Sequence, residues 1–507
     1  MQARGVPATP QAAIAAAYEL VDRGALAEAE AACRHALAVT GGRSADAWTA
    51  LGVVLREQGR MVDSEAAYRQ ALVVAPRHVP AHHNLGALLS HLERAEEALA
   101  ALDRAQSLGL KAPELHINRG RALAQLYRFE DAERSYAQAV ALRPRDVMAQ
   151  TNLAQLRHKM GDPAFKRDFA AAVAAHRGDV ALQFNYSELL SRSGDLLGAE
   201  AALRELIGSA GALPEARSAL ASVLHQTGRL AEAETEALEA AVGRPGNPTL
   251  IGNLVVIELA RGKPDAALPF IRTQRQRQPD EQRWIAYEAV VARMMQDPLY
   301  RKLYDYDRMV RVYDLEAPPG WSSMADLNGA LIEALRARHR LVSHPLDQSL
   351  RNGSQTSRSL LTEQDAAIQG LMQAFAAPIE SYRAAIGSAA DHPLSARNRG
   401  TAGLVGCWSI ELRRDGFHVN HIHPEGWLSS AYYVSVPEEV ADARLKSGWI
   451  KFGEPRFPTP GVTAEHFVQP RAGRLVLFPS YMWHGTNALS GDQPRLTVAF
   501  DAVPKPG

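Results

Sequence analysis

Near the C-terminus three histidines, His418, His421 and His423, fall within six residues in the run Phe417-His418-Val419-Asn420-His421-Ile422-His423-Pro424-Glu425-Gly426-Trp427. Neutral imidazole is the commonest side-chain metal ligand. His421 and His423 are separated by one residue, so on an extended chain both rings leave the same face and can share one ion. His418 lies out of phase with them and reads as a residue behind the ligands or in a substrate pocket. Glu425, four residues after His421, has a spacing that suits a helix better than a strand end. A second cluster, Phe478-Pro479-Ser480-Tyr481-Met482-Trp483-His484, adds a further imidazole, and Arg495 opens a β-branched run eleven residues later. A guanidinium at that place offers a planar fork for a carboxylate. Any one of these histidines alone would more often be a packing residue than a ligand. The ordered set carries the inference.

Strands must hold these residues. From 401 onward the chain reads as short β-rich runs, 405–412, 416–423, 430–436, 449–452, 465–469, 474–478 and 496–502, separated by Gly and Pro turns. About seven such strands predict a sandwich or barrel. Ahead of them, 323–340 (Leu327, Leu331, Ile332, Leu335) and 362–386 (Ile368, Leu371, Met372, Phe375) show helical spacing, with a polar stretch at 343–357 between them that reads as a loop or short strand. Helices first and strands after fit a jelly roll supported on one side by helices.

The first half has another character. Alanine and leucine dominate 10–280 and predict helix. One set, Trp48, Leu51, Gly52, Leu55, Gly59, Tyr68, Ala71 and Pro76, recurs 34 residues on as His82, Leu85, Gly86, Leu89, Ala98, Leu102 and Ala105, and again as His116, Gly120, Leu123, Ala132, Tyr136, Ala139 and Pro144. The phase continues at Leu153 and Gly161, breaks over 163–179, and resumes through Gly194, Gly228, Gly262 and Pro279, with a looser early copy over 10–43. This pattern resembles the tetratricopeptide repeat. Small residues where two antiparallel helices cross let the backbones approach, large ones fill the spaces between repeats, and Pro ends the second helix. One such hairpin cannot bury its own apolar face, so about seven to eight copies are expected to stack into an all-α superhelix with a concave groove. The resemblance implies a protein or peptide bound in that groove. The bland alternative is a spacer or oligomerisation surface, and His78, His82, His83, His91 and His116 read as packing or surface residues. The composition shifts after Pro279, so the expected domains are 1–285 for the repeats and 286–507 for the rest, with a β core at about 401–503.

The C-terminal set as a whole resembles the 2-oxoglutarate and Fe(II)-dependent oxygenases of the double-stranded β-helix fold. It is most similar to a bacterial group whose signature runs His-x-His-Pro, Ser-(Gly/Ser)-x-Tyr-Tyr, a strand ending in Pro, Gly-x-Leu-Val-Leu-Phe-Pro with a His soon after, and Arg-x-(Ser/Thr). Here these are His421-Ile422-His423-Pro424, Ser429-Ser430-Ala431-Tyr432-Tyr433, Pro437, Gly473-Arg474-Leu475-Val476-Leu477-Phe478-Pro479, His484 and Arg495-Leu496-Thr497. The resemblance implies that His421 and His484 ligate Fe(II). It also implies that Arg495, helped by Tyr433 and Thr497, takes the distal carboxylate of 2-oxoglutarate. The wider superfamily places a carboxylate two residues after the first His, where this chain has His423. A set of His421, His423 and His484 is chemically sound for iron and one unit more positive; otherwise His423 is a turn residue before Pro424. The implied activity is hydroxylation of a protein or peptide recruited by the repeats, coupled to decarboxylation of 2-oxoglutarate with dioxygen. Two alternatives stand beside it: a three-histidine cupin-type metal dioxygenase without 2-oxoglutarate, and a non-catalytic adaptor with a degenerate barrel.

Bulk composition narrows the field. The 507 residues exceed one compact core. Lys plus Arg and Asp plus Glu balance at 56 each, which argues against nucleic acid or an anionic membrane as the main partner. Cys33 and Cys407 stand far apart, which speaks against a disulfide framework and suits a reducing compartment. No signal peptide or membrane span is read, so a soluble cytoplasmic protein is expected.

Overall fold

The computed structural model describes residues 9–211 and 213–505. The chain divides into two compact units, Met1–Leu156 and Arg157–Gly507.

In the first unit, helices Pro10–Asp22, Leu26–Val39, Ala45–Glu57, Met61–Val74, Val79–His91, Ala95–Ser107, Pro113–Gln125 and Phe129–Leu142 follow one another with short turns. The 34-residue spacing has a steric cause. A Cβ on Gly52 would lie 2.4 Å from Tyr68 Cε1, one on Gly86 2.6 Å from Leu102 Cγ, and one on Gly120 2.6 Å from Tyr136 Cε1. Each glycine therefore seats a large side chain of the next helix against bare backbone. Gly120→Leu should destabilise this unit by about 1–3 kcal/mol through overpacking, less the roughly 1 kcal/mol that glycine costs a helix. Thermal denaturation reads the balance, and an unchanged Tm would show that the close crossing is dispensable. The turns between helices also keep the phase: Gly59, Glu93, Tyr127, Gly161, Gly228, Gly262 and Gln296 all have positive φ. The earlier histidines behave as expected. His78 caps its helix by accepting from Ala81 N, and His116 is buried.

The second unit begins with the irregular repeat, whose second helix is only Arg167–Ala175. Regular pairs then resume from Val180–Arg192 to Pro264–Arg277, followed by Gln282–Met294 and the short Leu299–Leu303 and Tyr306–Met309. The repeat phase thus runs on to Gln296, and the apolar core is continuous across it. Val255, Leu259, Trp284 and Ile285 belong to one cluster with Tyr304, Leu371, Tyr432, Phe478 and Phe500.

Among the described residues nine strands follow: β1 (Arg311–Asp314), β2 (Leu350–Gln355), β3 (Thr401–His418), β4 (Leu428–Ser435), β5 (Ile450–Phe452), β6 (His466–Val468), β7 (Arg474–Pro479), β8 (His484–Thr486) and β9 (Arg495–Lys505). They form a six-stranded sheet ordered β1-β7-β4-β9-β3-β2 and a three-stranded sheet ordered β6-β5-β8, with antiparallel pairing throughout. Helices Met324–Arg336, Ala366–Ala374 and Ala376–Ile386 pack on one face of the larger sheet. Phe375 meets Tyr432 and Phe500 at centroid distances of 5.6 and 4.7 Å, and Tyr432 donates to Asn328 at 2.6 Å.

Several sequence expectations change here. The helix predicted over 362–386 is two, broken at Phe375 just before Pro378, which has no N–H to donate. The stretch 343–357, read as a loop or short strand, contains β2. The strands predicted at 405–412 and 416–423 are one strand that ends at His418 and bulges in the middle. Arg351 pairs with Phe417 while Gly353 pairs with Leu412, so the chain between them loops out through Asp415 at φ +58°. Gly416 closes the bulge, since a Cβ there would lie 2.5 Å from Asn352 O. Both cysteines are free and buried. No helix among the described residues is long and apolar enough to cross a membrane.

Candidate metal centre

The chain leaves β3 after His418 and returns to extended pairing only at His421. There His421 N donates to His484 O at 2.8 Å and His484 N donates to His421 O at 3.0 Å. This reciprocal pair sets the two imidazoles side by side, with centroids 4.2 Å apart. Two residues on, His423 N donates to Ser480 O at 3.0 Å. The 421–423 segment therefore lies against 480–484 as a strand would, and the alternation read from sequence survives although the named strand stops short. The His423 ring sits 5.1 Å from that of His421 and 5.2 Å from that of His484. One ligand atom from each of the three histidines lies within 4.8 Å of the others, the single such cluster among the described residues.

Each ring is also fixed in tautomer. His421 Nδ1 faces Val419 O at 2.9 Å, His484 Nδ1 faces Met482 O at 2.8 Å, and His423 Nδ1 faces Asp501 Oδ2 at 2.7 Å. An oxygen of this kind can only accept, so each Nδ1 carries the proton and each Nε2 keeps its lone pair, that of His421 lying 3.4 Å from Ser349 Oγ. Burial, reinforced by His423, pushes His421 down to about 3, and burial followed by repulsion from His421 and His423 lowers His484 well below the ordinary imidazole value. The His421 and His484 rings are thus neutral near pH 7, the protonation state that a metal requires.

The three histidines line a cavity of about 590 Å³ between the two sheets, together with Tyr433 on β4 and Arg495, Thr497, Ala499 and Asp501 on β9. Strand alternation puts those four β9 residues on one face, while Val498 and Phe500 point into the apolar core. Arg495 is buried, its guanidinium carbon 5.5 Å over the Tyr433 ring. Its Nη1 donates to Gly448 O, yet its Nε has no partner, and neither has the buried Tyr433 hydroxyl. Burial lowers the Arg495 guanidinium from its ordinary value. The Thr497 hydroxyl is less free, donating to Ile410 O at 3.2 Å.

His418 also lines the cavity, outside the cluster, with Nδ1 2.9 Å from Ser349 Oγ. Glu425 lies on the cavity wall and not among the converging groups. Sequence reasoning missed Asp501, which is 13 % exposed, accepts from Ser429 Oγ at 2.7 Å as well as from His423, and sits 78 positions along the chain from His423. Burial raises the Asp501 carboxyl, but His423 and the hydrogen bonds from His423 and Ser429 hold it below the usual carboxylate value overall. The available signal was the period of two counted forward from Arg495.

Residues 406–501 match the family described as Putative 2OG-Fe(II) oxygenase, and 14–78, 117–164 and 188–248 match the tetratricopeptide repeat. No curated protein matches the chain. Among solved structures, a tetratricopeptide repeat protein from Parabacteroides merdae is 19 % identical, covering 48 % of this chain and 97 % of its own at a TM-score of 0.37. PilF of Pseudomonas aeruginosa is 19 % identical over 41 % and 94 %, at 0.31. Yeast Tom70 is 13 % identical over 55 % and 61 %, at 0.41.

Proposed function

We propose that this chain is an Fe(II)- and 2-oxoglutarate-dependent oxygenase that hydroxylates a protein or peptide. In this reading 286–507 is the oxygenase part, with a double-stranded β-helix core, and the repeats of 1–285 recruit the substrate. The observation that carries the proposal is the convergence in one cavity of three imidazole nitrogens with two buried polar groups that lack partners, Tyr433 OH and Arg495 Nε. An all-imidazole donor set suits Fe(II). A buried guanidinium with a spare N–H, stacked on a tyrosine whose hydroxyl is free, suits a carboxylate.

His421, His423 and His484 would hold the metal, and Arg495, Tyr433 and Thr497 the distal carboxylate of 2-oxoglutarate. Bound iron and 2-oxoglutarate would supply the hydroxylation chemistry with dioxygen as the oxidant: one oxygen atom enters the substrate C–H bond and the other ends in the succinate formed, with carbon dioxide, from 2-oxoglutarate. The protein's own share is positional. Val419 O, Met482 O and Asp501 keep the three rings aimed with Nε2 inward. Arg495 neutralises the carboxylate in a water-poor site, where one ion pair counts for more than it would in bulk solvent. The β5–β8 sheet closes the cavity wall opposite β9. A protein-interaction region on the same chain raises the substrate's local concentration at the cavity.

Anaerobic titration of the Fe(II)-loaded chain with 2-oxoglutarate should produce the weak visible charge-transfer band of the chelate. Its absence, together with no turnover of 2-oxoglutarate, would sink the reading. A second reading, a metal dioxygenase that does not use 2-oxoglutarate, draws on the all-histidine donor set. It expects Fe(II) binding with no such band.

A further inference from the structure

We propose that Asp501 is the positioning residue of this centre. It locks His423 in its ligand-presenting orientation and supplies, one hydrogen bond behind the metal, the negative charge that a directly ligating carboxylate would give. The inference rests on the metal-centre reading above.

Three observations carry it. First, the three rings are held differently. His421 and His484 lean on neutral backbone carbonyls, whereas His423 alone leans on an anion, at 2.7 Å. A carboxylate on the distal nitrogen of a ligating imidazole fixes its tautomer and ring plane and raises its basicity toward the metal. Second, Asp501 is itself built in. Its Oδ1 accepts from Ser429 Oγ at 2.7 Å, and Ser429 Oγ lies 2.9 Å from Ser480 Oγ. Ser480 O in turn receives the backbone N–H of His423 at 3.0 Å, so the network closes on the residue it orients. Ser429 and Asp501 are directly opposed in the β4–β9 register, so the link belongs to the sheet and not to a loop. Third, the charge is right. Three neutral imidazoles leave a divalent ion with its full charge, and a nearly buried anion behind one of them offsets part of it at low effective dielectric. The carboxylate absent from the position of His423 is thereby displaced by one hydrogen bond rather than lost.

The test uses the full-length chain stripped of metal, with Co(II) as the probe. Affinity is read by competition with a chelating dye, and ligand geometry from the visible d–d band. Asp501→Asn should weaken Co(II) binding by about 10- to 100-fold and alter the band, and Asp501→Glu should recover part of both. In a His423→Ala background Asp501→Asn should cause no further loss, because its effect passes through His423. An equal loss in that background, or wild-type affinity with an unaltered band for Asp501→Asn, overturns the proposal. Should Asp501→Asn fail to fold, Ser429→Ala replaces it in the same cycle: it should weaken Co(II) to a lesser degree and only when His423 is present, and a loss independent of His423 overturns the idea equally. Wild-type protein that takes up neither Co(II) nor Fe(II) removes the metal-centre reading itself. A wild type that binds while Asp501→Asn binds as well removes only the role of Asp501.

Discussion

Replacing His484 with alanine should abolish Fe(II) binding while the chain stays folded. His484 is the hub of the cluster: its backbone exchanges both hydrogen bonds with His421, and its ring lies 4.2 Å from His421 and 5.2 Å from His423. Alanine keeps the backbone exchange, so the His421 and His423 rings stay in place and only one donor disappears. Removing a partner that merely supports a ligand costs about 10- to 100-fold in metal affinity, so loss of a ligand should exceed that range. The structural cost is separate and modest. Met482 O loses its partner, at about 1–3 kcal/mol, and a small void opens beside Phe478, whose ring centroid lies 4.5 Å away. Isothermal titration with Fe(II) under anaerobic conditions, set beside a thermal melt, separates the two effects. Wild-type affinity in His484→Ala would show that the imidazoles converge for another reason.

Arg495→Ala should have the opposite profile, with iron retained and 2-oxoglutarate binding lost. Arg495 lines the same cavity but is not among the converging donors, and its unpartnered Nε and its place over Tyr433 mark it as a carboxylate partner. Truncating one side of a buried, hydrogen-bonded charge pair costs about 2–5 kcal/mol, which is roughly 30- to 5,000-fold in Kd. Arg495→Lys should recover little, because an ammonium cannot present the same planar fork and would not reach Gly448 O in the same geometry. The readout is the charge-transfer band as 2-oxoglutarate is titrated into Fe(II)-loaded variant. Were Fe(II) itself released by Arg495→Ala, its assignment to the cosubstrate would be wrong.

The repeats were the most legible part of the sequence, because their signal is local and redundant. Gly52, Gly86 and Gly120 each face the large residue sixteen positions later, so one steric rule is written several times in phase. The strands were legible where a run is rich in β-branched and aromatic residues and bounded by turn residues, as in β4, β7 and β9. They were not where pairing alone makes the strand. β1 and β8 are short, and nothing in Arg311–Asp314 or His484–Thr486 announces an extended conformation without the neighbour it bonds. The site showed the same division. His421, His423, His484, Arg495, Tyr433 and Thr497 all came from motif and spacing, and the fold brings all six to one cavity.

What the sequence determined by itself was the set of chemical groups and their phase: which imidazoles share a face, where a guanidinium follows, and the period that packs the helices. Those depend on geometry within a few residues, fixed by strand and helix periods. What only the tertiary structure decided was which group stands behind each ligand. His423 finds its carboxylate 78 residues away, on a strand that reaches it because β4 and β9 pair in one register and Ser429 falls opposite Asp501. A register is the sum of many weak cross-strand preferences, and no stretch of this chain contains it alone.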